Sequence, residues 1–312
     1  MALRDLLFAE LVKKGYSELK DGRKVWDVAN RNFLYQTDEL AQAFLNLRDH
    51  PRYRATILNI EIDLLVRAVK QFASKISTNA NVIDLGCGDG KKAKVFFENL
   101  QIDGEFSYVP VSVNDRLLDL SVQNVKEGNF ENVLDFKPIA ADLNSLQSVL
   151  QQLSVENRER NILLLLGSLL ASFDIHEYLF ELSNSMTRGD CLFIGNAVRT
   201  GDRFTNIENY LHPLFSEWFA PLLQEMGFKD ECLSYNARFE NGRVECYYSV
   251  KETTTLEYDG NLYTFSAGDE IITAVLYKYY AHELEKYCKM YFREVEMISD
   301  ADEEQVLVFC AK

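Results

Sequence analysis

A glycine-rich turn after a short apolar run is the stretch of this sequence whose residue types could do chemistry. Residues 82–90 read Val-Ile-Asp-Leu-Gly-Cys-Gly-Asp-Gly, and Val82, Ile83 and Leu85 are typical of a strand buried on both faces. Glycines let the backbone turn tightly and approach a ligand without Cβ atoms in the way. Backbone N–H groups at the start of a following helix favour a carboxylate or phosphate. The pattern predicts a strand, a ligand-binding turn and a helix.

Spacing excludes two common nucleotide-binding motifs at this turn. A P-loop needs Gly-x-x-x-x-Gly-Lys-Ser/Thr, whereas Gly86 to Gly90 is one residue too short and Lys91-Lys92 is followed by Ala93. The dinucleotide fingerprint Gly-x-Gly-x-x-Gly fails as well, because the chain has Gly86-x-Gly88-x-Gly90.

Length and charge restrict the class of protein. The 312 residues, 47% apolar and 26% charged, are enough for one α/β domain and a substantial second lobe. The net charge of −15 repels phosphate backbones, and the only basic cluster is Lys91-Lys92-Ala93-Lys94. We therefore expect no nucleic-acid partner.

The cysteines and the N-terminus indicate a cytoplasmic protein. The six cysteines are scattered without a Cys-x-x-Cys pair, so we expect buried reduced thiols and no metal site. The first ten residues carry too many charges for a signal peptide, and no run of 18 apolar residues exists. We expect no membrane partner.

From residue 80 onward, strands and helices alternate, which favours a mostly parallel sheet covered on both faces. After the strand at 82–85, the predicted strands are 107–112, 134–140, 161–167 and 190–195. Helices are predicted in between, including one from Asp174, a capping-box start with Glu177, to Ser185.

The alternation stops after the fifth strand. A helix is predicted over 208–226, and Asn241-Gly242 and Asp259-Gly260 are hairpin signals within an antiparallel insert of about four strands at 228–267. A helix is predicted over about 270–288, followed by a strand pair at 291–298 and 305–310. Residues 1–75 are predicted to be mainly helical, with helical spacing clearest from Ile57 to Phe72. The predicted parts are a helical cap (1–75), a core (76–200 and 286–312) and an inserted lobe (201–285).

The string Asp-Leu-Gly-Cys-Gly-Asp-Gly at 84–90 resembles the first motif of Rossmann-like S-adenosylmethionine (SAM) methyltransferases, in which the turn contacts the methionine part of SAM. Together with Tyr108-Val-Pro-Val, Leu166-Gly167-Ser168, the insert, and Gly268-Asp269 ahead of Lys278-Tyr279, the chain resembles the histidine-specific Nα-methyltransferase family of ergothioneine biosynthesis. The resemblance implies an α/β Rossmann-like core with a seven-stranded mixed sheet, an N-terminal helical cap and an inserted α+β lobe. It also implies SAM as cofactor and an amino-acid amine held between core and lobe.

The same resemblance implies a set of cofactor-binding residues. Gly86 and Gly88 would line the methionine part, Lys92 would lie near the cofactor, and Tyr53 matches a lid tyrosine. The Asp142 carboxylate can accept from the adenine amino group while Leu143 packs on the ring. The full set is Tyr53, Asp84, Gly86, Cys87, Gly88, Lys92, Ser112, Asp142, Leu143, Gly167 and Ser168.

Departures from the family pattern concern the ribose and the acceptor. Ser112 replaces an acid that holds the ribose hydroxyls, so either SAM binds more weakly or Asn114 or Asp115 substitutes. Ser172 replaces an asparagine that contacts the acceptor. A glutamate and a serine that grip the imidazole fall on Ala274 and Leu276, so we expect an apolar or aromatic acceptor rather than histidine. The expected acceptor residues are Trp26, Ser172, Tyr210, Ala274, Leu276 and Tyr277.

Methyl transfer to an amine needs mainly a neutral lone pair held in line, so a general base is optional and no catalytic residue is assigned. Tyr277, Tyr279 and Tyr280 could offer a cation–π surface or form a packed helix face. The leading hypothesis is N-methylation of a small amine or amino-acid-like molecule. The alternatives are methylation of a protein or peptide side chain, and a non-catalytic SAM-binding relative that acts as a partner protein.

Overall fold

The computed structural model of the chain describes residues 2–153, 160–201 and 207–312. Its helices are α1 (Leu3–Lys14), α2 (Asp38–Asp49), α3 (Pro51–Tyr53), α4 (Asn59–Phe72), α5 (Lys91–Asn99), α6 (Asp115–Lys126), α7 (Leu146–Leu153), α8 (Ile175–Ser185), α9 (Ile207–Tyr210), α10 (Pro213–Met226) and α11 (Ala281–Tyr291). Its strands are β1 (Tyr16–Glu18), β2 (Lys24–Asp27), β3 (Ala80–Leu85), β4 (Phe106–Ser112), β5 (Val133–Phe136), β6 (Ile139–Ala140), β7 (Arg160–Leu165), β8 (Cys191–Ala197), β9 (Leu233–Glu240), β10 (Arg243–Val250), β11 (Thr254–Tyr258), β12 (Asn261–Phe265), β13 (Glu270–Tyr277), β14 (Glu294–Ser299) and β15 (Gln305–Ala311).

The chain divides into two compact units. The first contains Met1–Arg48 and Arg203–Tyr277, and the second, which we call the core unit, contains Asp49–Asp202 and Lys278–Lys312. This division differs from the boundaries drawn on the sequence at 75/76 and 285/286. Residues 49–75 group with the core unit because α4 packs on α5 and β15, and residues 278–285 group with it because they lead into α11.

The core unit is built on the predicted mixed sheet. Seven strands follow the order β14-β15-β8-β7-β3-β4-β5, and the short β6 also pairs with β4. The pairs among β8, β7, β3, β4 and β5 are parallel, while β15 is antiparallel to both β8 and β14. The Rossmann-like fold class is thereby confirmed.

Both faces of the central strands β3, β4, β7, β8 and β15 are largely buried, which explains why these strands are mainly apolar, whereas the edge strands β5 and β14 are partly exposed. One face packs Ile83, Val109 and Leu163 against side chains from α7, α8 and α11. The other packs Val82, Tyr108 and Phe193 against α4, α5 and α6. On that second face the buried ring of Phe309 lies 4.7 Å from the Phe72 ring and 5.3 Å from the Phe193 ring, measured between centroids.

The first unit contains a five-stranded sheet of order β1-β2-β13-β10-β9 and a separate hairpin of β11 and β12. The β2–β13 pair is parallel and the other pairs are antiparallel. Helices α1 and α10 contact each other and this sheet, and the rings of Phe8 and Tyr258 stack at 4.3 Å between centroids. No helix in the described ranges is long and apolar enough to cross a membrane.

Several elements differ from the sequence-based prediction. Residues 2–75 are mainly helical as predicted, but they also contain β1, which pairs with β2, and β2, which pairs with β13 far along the chain. The helix predicted over about 270–288 is strand β13 followed by α11. The run Glu270–Tyr277 is rich in β-branched residues and is paired on both sides, by β10 and β2. The four strands predicted over 228–267 are present as β9 to β12, and β13 adds a fifth strand directly after them.

Prolines account for two further differences. The helix predicted over 208–226 is broken before Pro213, because the residue that precedes a proline avoids helical backbone angles, and His212 is extended with φ −64° and ψ 137°. The single strand predicted over 134–140 is two short strands, β5 and β6, interrupted at Lys137-Pro138, because proline lacks the N–H that a strand donates.

We expect Phe309→Ala to lower the free energy of unfolding by about 3–5 kcal/mol, because it leaves a cavity among fully buried rings. The matched control is Phe180→Ala, since that side chain is 56% exposed, and it should change stability by about 0.5 kcal/mol or less. Urea denaturation followed by circular dichroism measures both. Equal losses in the two variants would contradict this assignment of the core.

Candidate functional site

The topology of the core unit locates a ligand crevice. From β3 the chain moves to β4 and β5 on one side of the sheet, and later to β7 and β8 on the other. Ligands of open α/β sheets bind outside the carboxyl ends of the strands at such a switch point. The candidate site therefore lies beyond the ends of β3 and β7, where the glycine turn and the Gly167-Ser168 turn begin.

The turn after β3 depends on glycine. Gly86, Gly88 and Gly90 have φ values of 68°, 56° and 74°, a region that favours glycine. A Cβ on Gly86 would lie 2.7 Å from Leu169 Cδ1, and a Cβ on Gly90 would lie 2.7 Å from backbone atoms of Ser121. Larger residues would therefore distort the turn or its neighbours.

Some backbone amides of this turn donate hydrogen bonds within the protein, and one is left to face the crevice. Gly86 N and Cys87 N both donate to the Val111 carbonyl oxygen, at 3.0 and 3.2 Å. The sequence-based expectation that the turn as a whole presents its amides to a ligand is therefore wrong for these two. Within the described ranges, the Gly88 N–H has no protein partner. Of the amides of Gly86, Cys87 and Gly88, it is therefore the one that can donate to a ligand.

Asp84 is a buried residue near the end of β3 and belongs to a polar network. The Tyr108 hydroxyl donates to Asp84 Oδ2 at 2.9 Å and lies 2.6 Å from Ser121 Oγ. Burial raises the pKa of Asp84 to about 6, although the Tyr108 hydrogen bond and the charge of Lys92 act in the opposite direction. Burial also raises the pKa of the Cys87 thiol well above its usual range, so Cys87 is a packed thiol rather than a nucleophile.

The ends of β4 and β6 form the next part of the crevice wall. Ser112 Oγ accepts from Asn114 N at 3.1 Å, and Asn114 Oδ1 in turn caps α6 by accepting from Leu117 N at 3.0 Å. Asn114 is thus engaged as a helix cap, which weakens its candidacy as a substitute for the ribose acid. The buried Leu143 side chain reaches the glycine turn, since a Cβ on Gly86 would lie 3.4 Å from Leu143 Cδ1. Asp142 is half-buried beside it.

The turn after β7 is tied to β8. Gly167 and Ser168 have φ values of 81° and 55°. Ser168 N donates to the Gly195 carbonyl at 3.0 Å, and Ala197 N donates to Ser168 Oγ at 2.9 Å. Ser168 therefore fixes the end of β8 with its hydroxyl.

Glu61, which is not among the predicted site residues, joins two of them. Its carboxylate accepts from Gly167 N and from Lys92 Nζ, the latter at 3.1 Å. The signal was present in the sequence. Glu61 falls on the apolar stripe of α4 with Leu64, Leu65 and Ala68, where a carboxylate needs a specific partner. Tyr108 and Ser121 were likewise not assigned roles next to Asp84.

The remaining predicted residues are placed as follows. In the core unit, Tyr53 is half-buried at the end of α3, and Ser172 is half-buried in the short turn that precedes α8. In the first unit, Tyr210 ends α9, where burial raises its pKa, and its carbonyl accepts from the Tyr235 hydroxyl at 2.8 Å.

Trp26 is buried in the first unit, where its ring lies 5.0 Å from the Phe265 ring and its Nε1 donates to Asp269 at 3.5 Å. These contacts give Trp26 a packing role. Ala274 and Leu276 share one face of β13, whereas the adjacent Tyr277 pairs with Arg243 on the opposite face. Tyr277 therefore does not share a face with the other two residues. The packed tyrosine helix face does not form, because Tyr277 lies in β13.

A parallel-rich sheet with a glycine turn at its switch point defines a Rossmann-like methyltransferase fold. A profile of the SAM-dependent, histidine-specific methyltransferase family matches residues 29–312, so the chain belongs to this family. It is a SAM-dependent methyltransferase. No curated protein matches the chain significantly.

Solved structures similar to the chain include three of interest. They are PH0226 from Pyrococcus horikoshii OT3 (13% identity, TM-score 0.45, covering 88% of this chain and 99% of that one), human N-acetylserotonin methyltransferase in complex with SAM (10%, 0.45, 90% and 58%) and a SAM-dependent methyltransferase from Bacteroides fragilis in complex with S-adenosyl-L-homocysteine (16%, 0.36, 80% and 78%). Because these TM-scores are below 0.5, the assignment rests on the family match and on the sheet topology.

The residues of the crevice fit SAM. The turn at Gly86 leaves a cradle that a Cβ would fill, and the Gly88 N–H can donate to a carboxylate. Asp142 and Leu143, the pair expected at the adenine, would supply an acceptor and an apolar surface for the base. SAM supplies an electrophilic methyl group on a sulfonium, and these residues would bind and orient it.

We expect Gly86→Ala to weaken SAM binding about tenfold or more, because the added methyl group meets Leu169 and a positive φ strains alanine. Gly242→Ala is the matched control, since Gly242 has a similar φ of 75° but nothing within 4 Å of the added Cβ. Isothermal titration calorimetry measures both affinities. Unchanged SAM affinity in Gly86→Ala would contradict the placement of the cofactor.

Asp84 should make stability depend on pH. Its pKa is about 6 in the folded protein against a usual 3.8, so the folded state holds this proton more tightly and the contribution of Asp84 to stability falls as pH rises from about 4 to about 6. A difference of about 2 between the folded and unfolded pKa corresponds to about 3 kcal/mol. Asp84→Asn lacks this slope, so its free energy of unfolding relative to the parent protein should be higher at pH 7.5 than at pH 4.5. Urea denaturation of cofactor-free protein at the two pH values tests this, and a pH-independent difference would refute it.

Proposed function

We propose that this enzyme transfers a methyl group from SAM to the nitrogen of a small amine or amino-acid-like acceptor with an apolar or aromatic side chain, not to histidine. The observation that supports this acceptor class is the composition of one face of β13. The positions that match the imidazole-binding glutamate and serine of the family are Ala274 and Leu276, both on that face.

The neighbours of these two residues are apolar as well. Ala274 is opposite Cys246 and Leu276 is opposite Val244 on β10. On β9, Ala237 and Phe239 continue the same rows. The Cys246 thiol and Val244 are fully buried, whereas Leu276 and Phe239 are half-buried at one end of these rows. A group that reaches this end would meet hydrocarbon, so the face would favour an apolar or aromatic group and offer an imidazole no charged partner.

The nearest buried carboxylates are engaged on the other face. Glu245 accepts from Arg238 Nη2 at 2.7 Å and from Arg243 Nε at 2.8 Å, and Glu270 pairs with Arg238 and Arg23. A bulge opposite Cys246 and Tyr247 shifts the register, which turns Glu270 to the face that holds Glu245. Neither glutamate replaces the missing imidazole partner.

The chemistry of the proposed reaction makes modest demands on side chains. A neutral amine attacks in line as the bond from the methyl carbon to sulfur breaks, and the released proton passes to solvent. The chain needs to orient the two reactants and exclude water, which agrees with the lack of an assigned catalytic base. The six buried free thiols support a reducing compartment such as the cytoplasm.

A protein or basic peptide acceptor is the second candidate, and the net charge of −15 favours it by attraction. Methyl-transfer assays with tritiated SAM separate the two. We expect turnover with aliphatic or aromatic amino acids or amines. Turnover with histidine and with basic peptides should be much lower than with these small acceptors. Turnover of basic peptides alone would refute the small-acceptor proposal.

We expect the double change Ala274→Glu and Leu276→Ser to increase kcat/KM for histidine about tenfold or more, because it restores a carboxylate and a hydroxyl to the imidazole positions. Val275→Ser is the control, because that residue lies on the opposite face of β13. Its kcat/KM for histidine should stay within about twofold of the parent value. An equal response in both variants would contradict the role of this face.

A further inference from the structure

Glu61 holds together two turns at the switch point of the sheet. Glu61 lies in α4, and its carboxylate accepts a hydrogen bond from Gly167 N in the turn after β7. The same carboxylate forms an ion pair with Lys92 Nζ, which lies in α5 directly after the glycine turn that follows β3. Its side chain is 6% exposed, against 22% for Lys92. The ion pair is therefore partly removed from water.

Two glycines make room for this ion pair. A Cβ on Gly167 would lie 2.8 Å from Lys92 Nζ, and a Cβ on Gly195 would lie 2.6 Å from Glu61 Oε1. The charged groups are thus pressed against the backbone at the ends of β7 and β8. A change of charge here acts on the crevice directly, because partly buried charges are weakly screened.

The net charge of the Glu61–Lys92 pair matters because SAM and its product differ in charge. SAM carries a sulfonium cation, whereas its product S-adenosylhomocysteine carries a neutral thioether at the same atom. A lone lysine beside the crevice would repel the sulfonium and so favour the product. A paired glutamate cancels that charge.

We propose that Glu61 is a positioning residue that holds the Gly167 turn and neutralises Lys92, and so sets the preference for SAM over S-adenosylhomocysteine. The two roles are separable, because a glutamine at this position keeps an oxygen for Gly167 N but loses the negative charge. The inference concerns the cofactor, so it stands or falls independently of which acceptor is methylated.

The test is calorimetric titration of the full chain with SAM and with S-adenosylhomocysteine. For Glu61→Gln we expect Kd for SAM to rise about tenfold while Kd for S-adenosylhomocysteine changes by less than about threefold. Asp63→Asn is the matched control, because Asp63 lies on the same helix, is 69% exposed and pairs with Arg67 at 3.0 Å. It should leave the ratio of the two Kd values unchanged.

The complementary variant keeps the inference testable if Glu61→Gln does not fold, which thermal denaturation reports. Lys92→Met leaves Glu61 with an uncompensated negative charge, so the Kd ratio should shift in favour of SAM. The double variant should bring the ratio back towards the parent value. An equal loss of affinity for both ligands in folded Glu61→Gln, or an unchanged ratio in Lys92→Met, would overturn the proposal.

Discussion

The divergence of the sheet between β3 and β7 is the constraint on which the rest of this protein depends. Because successive strands lie on opposite sides of this point, the turns that leave β3 and β7 meet at one edge of the sheet, where Glu61 of α4 links them through Gly167 N and Lys92. The turn after β3 is tight enough only because glycines accept positive φ there, and the Val111 carbonyl fixes it by taking two of its amides. The crevice is therefore a consequence of topology, and its chemistry is decided by the few side chains that reach it.

Buried carboxylates in an acidic chain need partners, and those partners organise both units. In the core unit, Asp84 is held by the Tyr108 hydroxyl and Glu61 by Lys92 and a main-chain amide. In the first unit, Glu245 and Glu270 are held by arginines on one face of the sheet. The opposite face, which matches the acceptor-binding positions of the family, is left apolar. Buried charge is thus concentrated near the turns after β3 and β7 in the core unit and on one face of the sheet in the first unit.

Local patterns in the sequence were sufficient to predict the elements that depend on residues close together along the chain. Apolar runs bounded by glycine and alternating with amphipathic helices predicted the core sheet, and the two Asn-Gly and Asp-Gly turns predicted the hairpins β9–β10 and β11–β12. What failed depends on distant partners. Strand β2 pairs with β13 across more than two hundred residues, which no local pattern indicates. Strand β13 itself was mistaken for a helix, because its alternation is interrupted by a bulge and followed directly by the sequence that leads into α11.

The site shows the same limit. The glycine turn, Asp142 and the Gly167-Ser168 turn could be predicted from motifs, whereas Glu61 acts through contacts with residues 31 and 106 positions away. Which side of β13 carries Tyr277 also could not be read until the strand was known. The most direct measurement of the central claim is a crystal structure of the enzyme with S-adenosylhomocysteine. The account predicts the methionine part at the Gly86–Gly90 turn and the adenine beside Asp142 and Leu143. A ligand bound elsewhere, or a crevice at β3 and β7 closed by side chains, would contradict it.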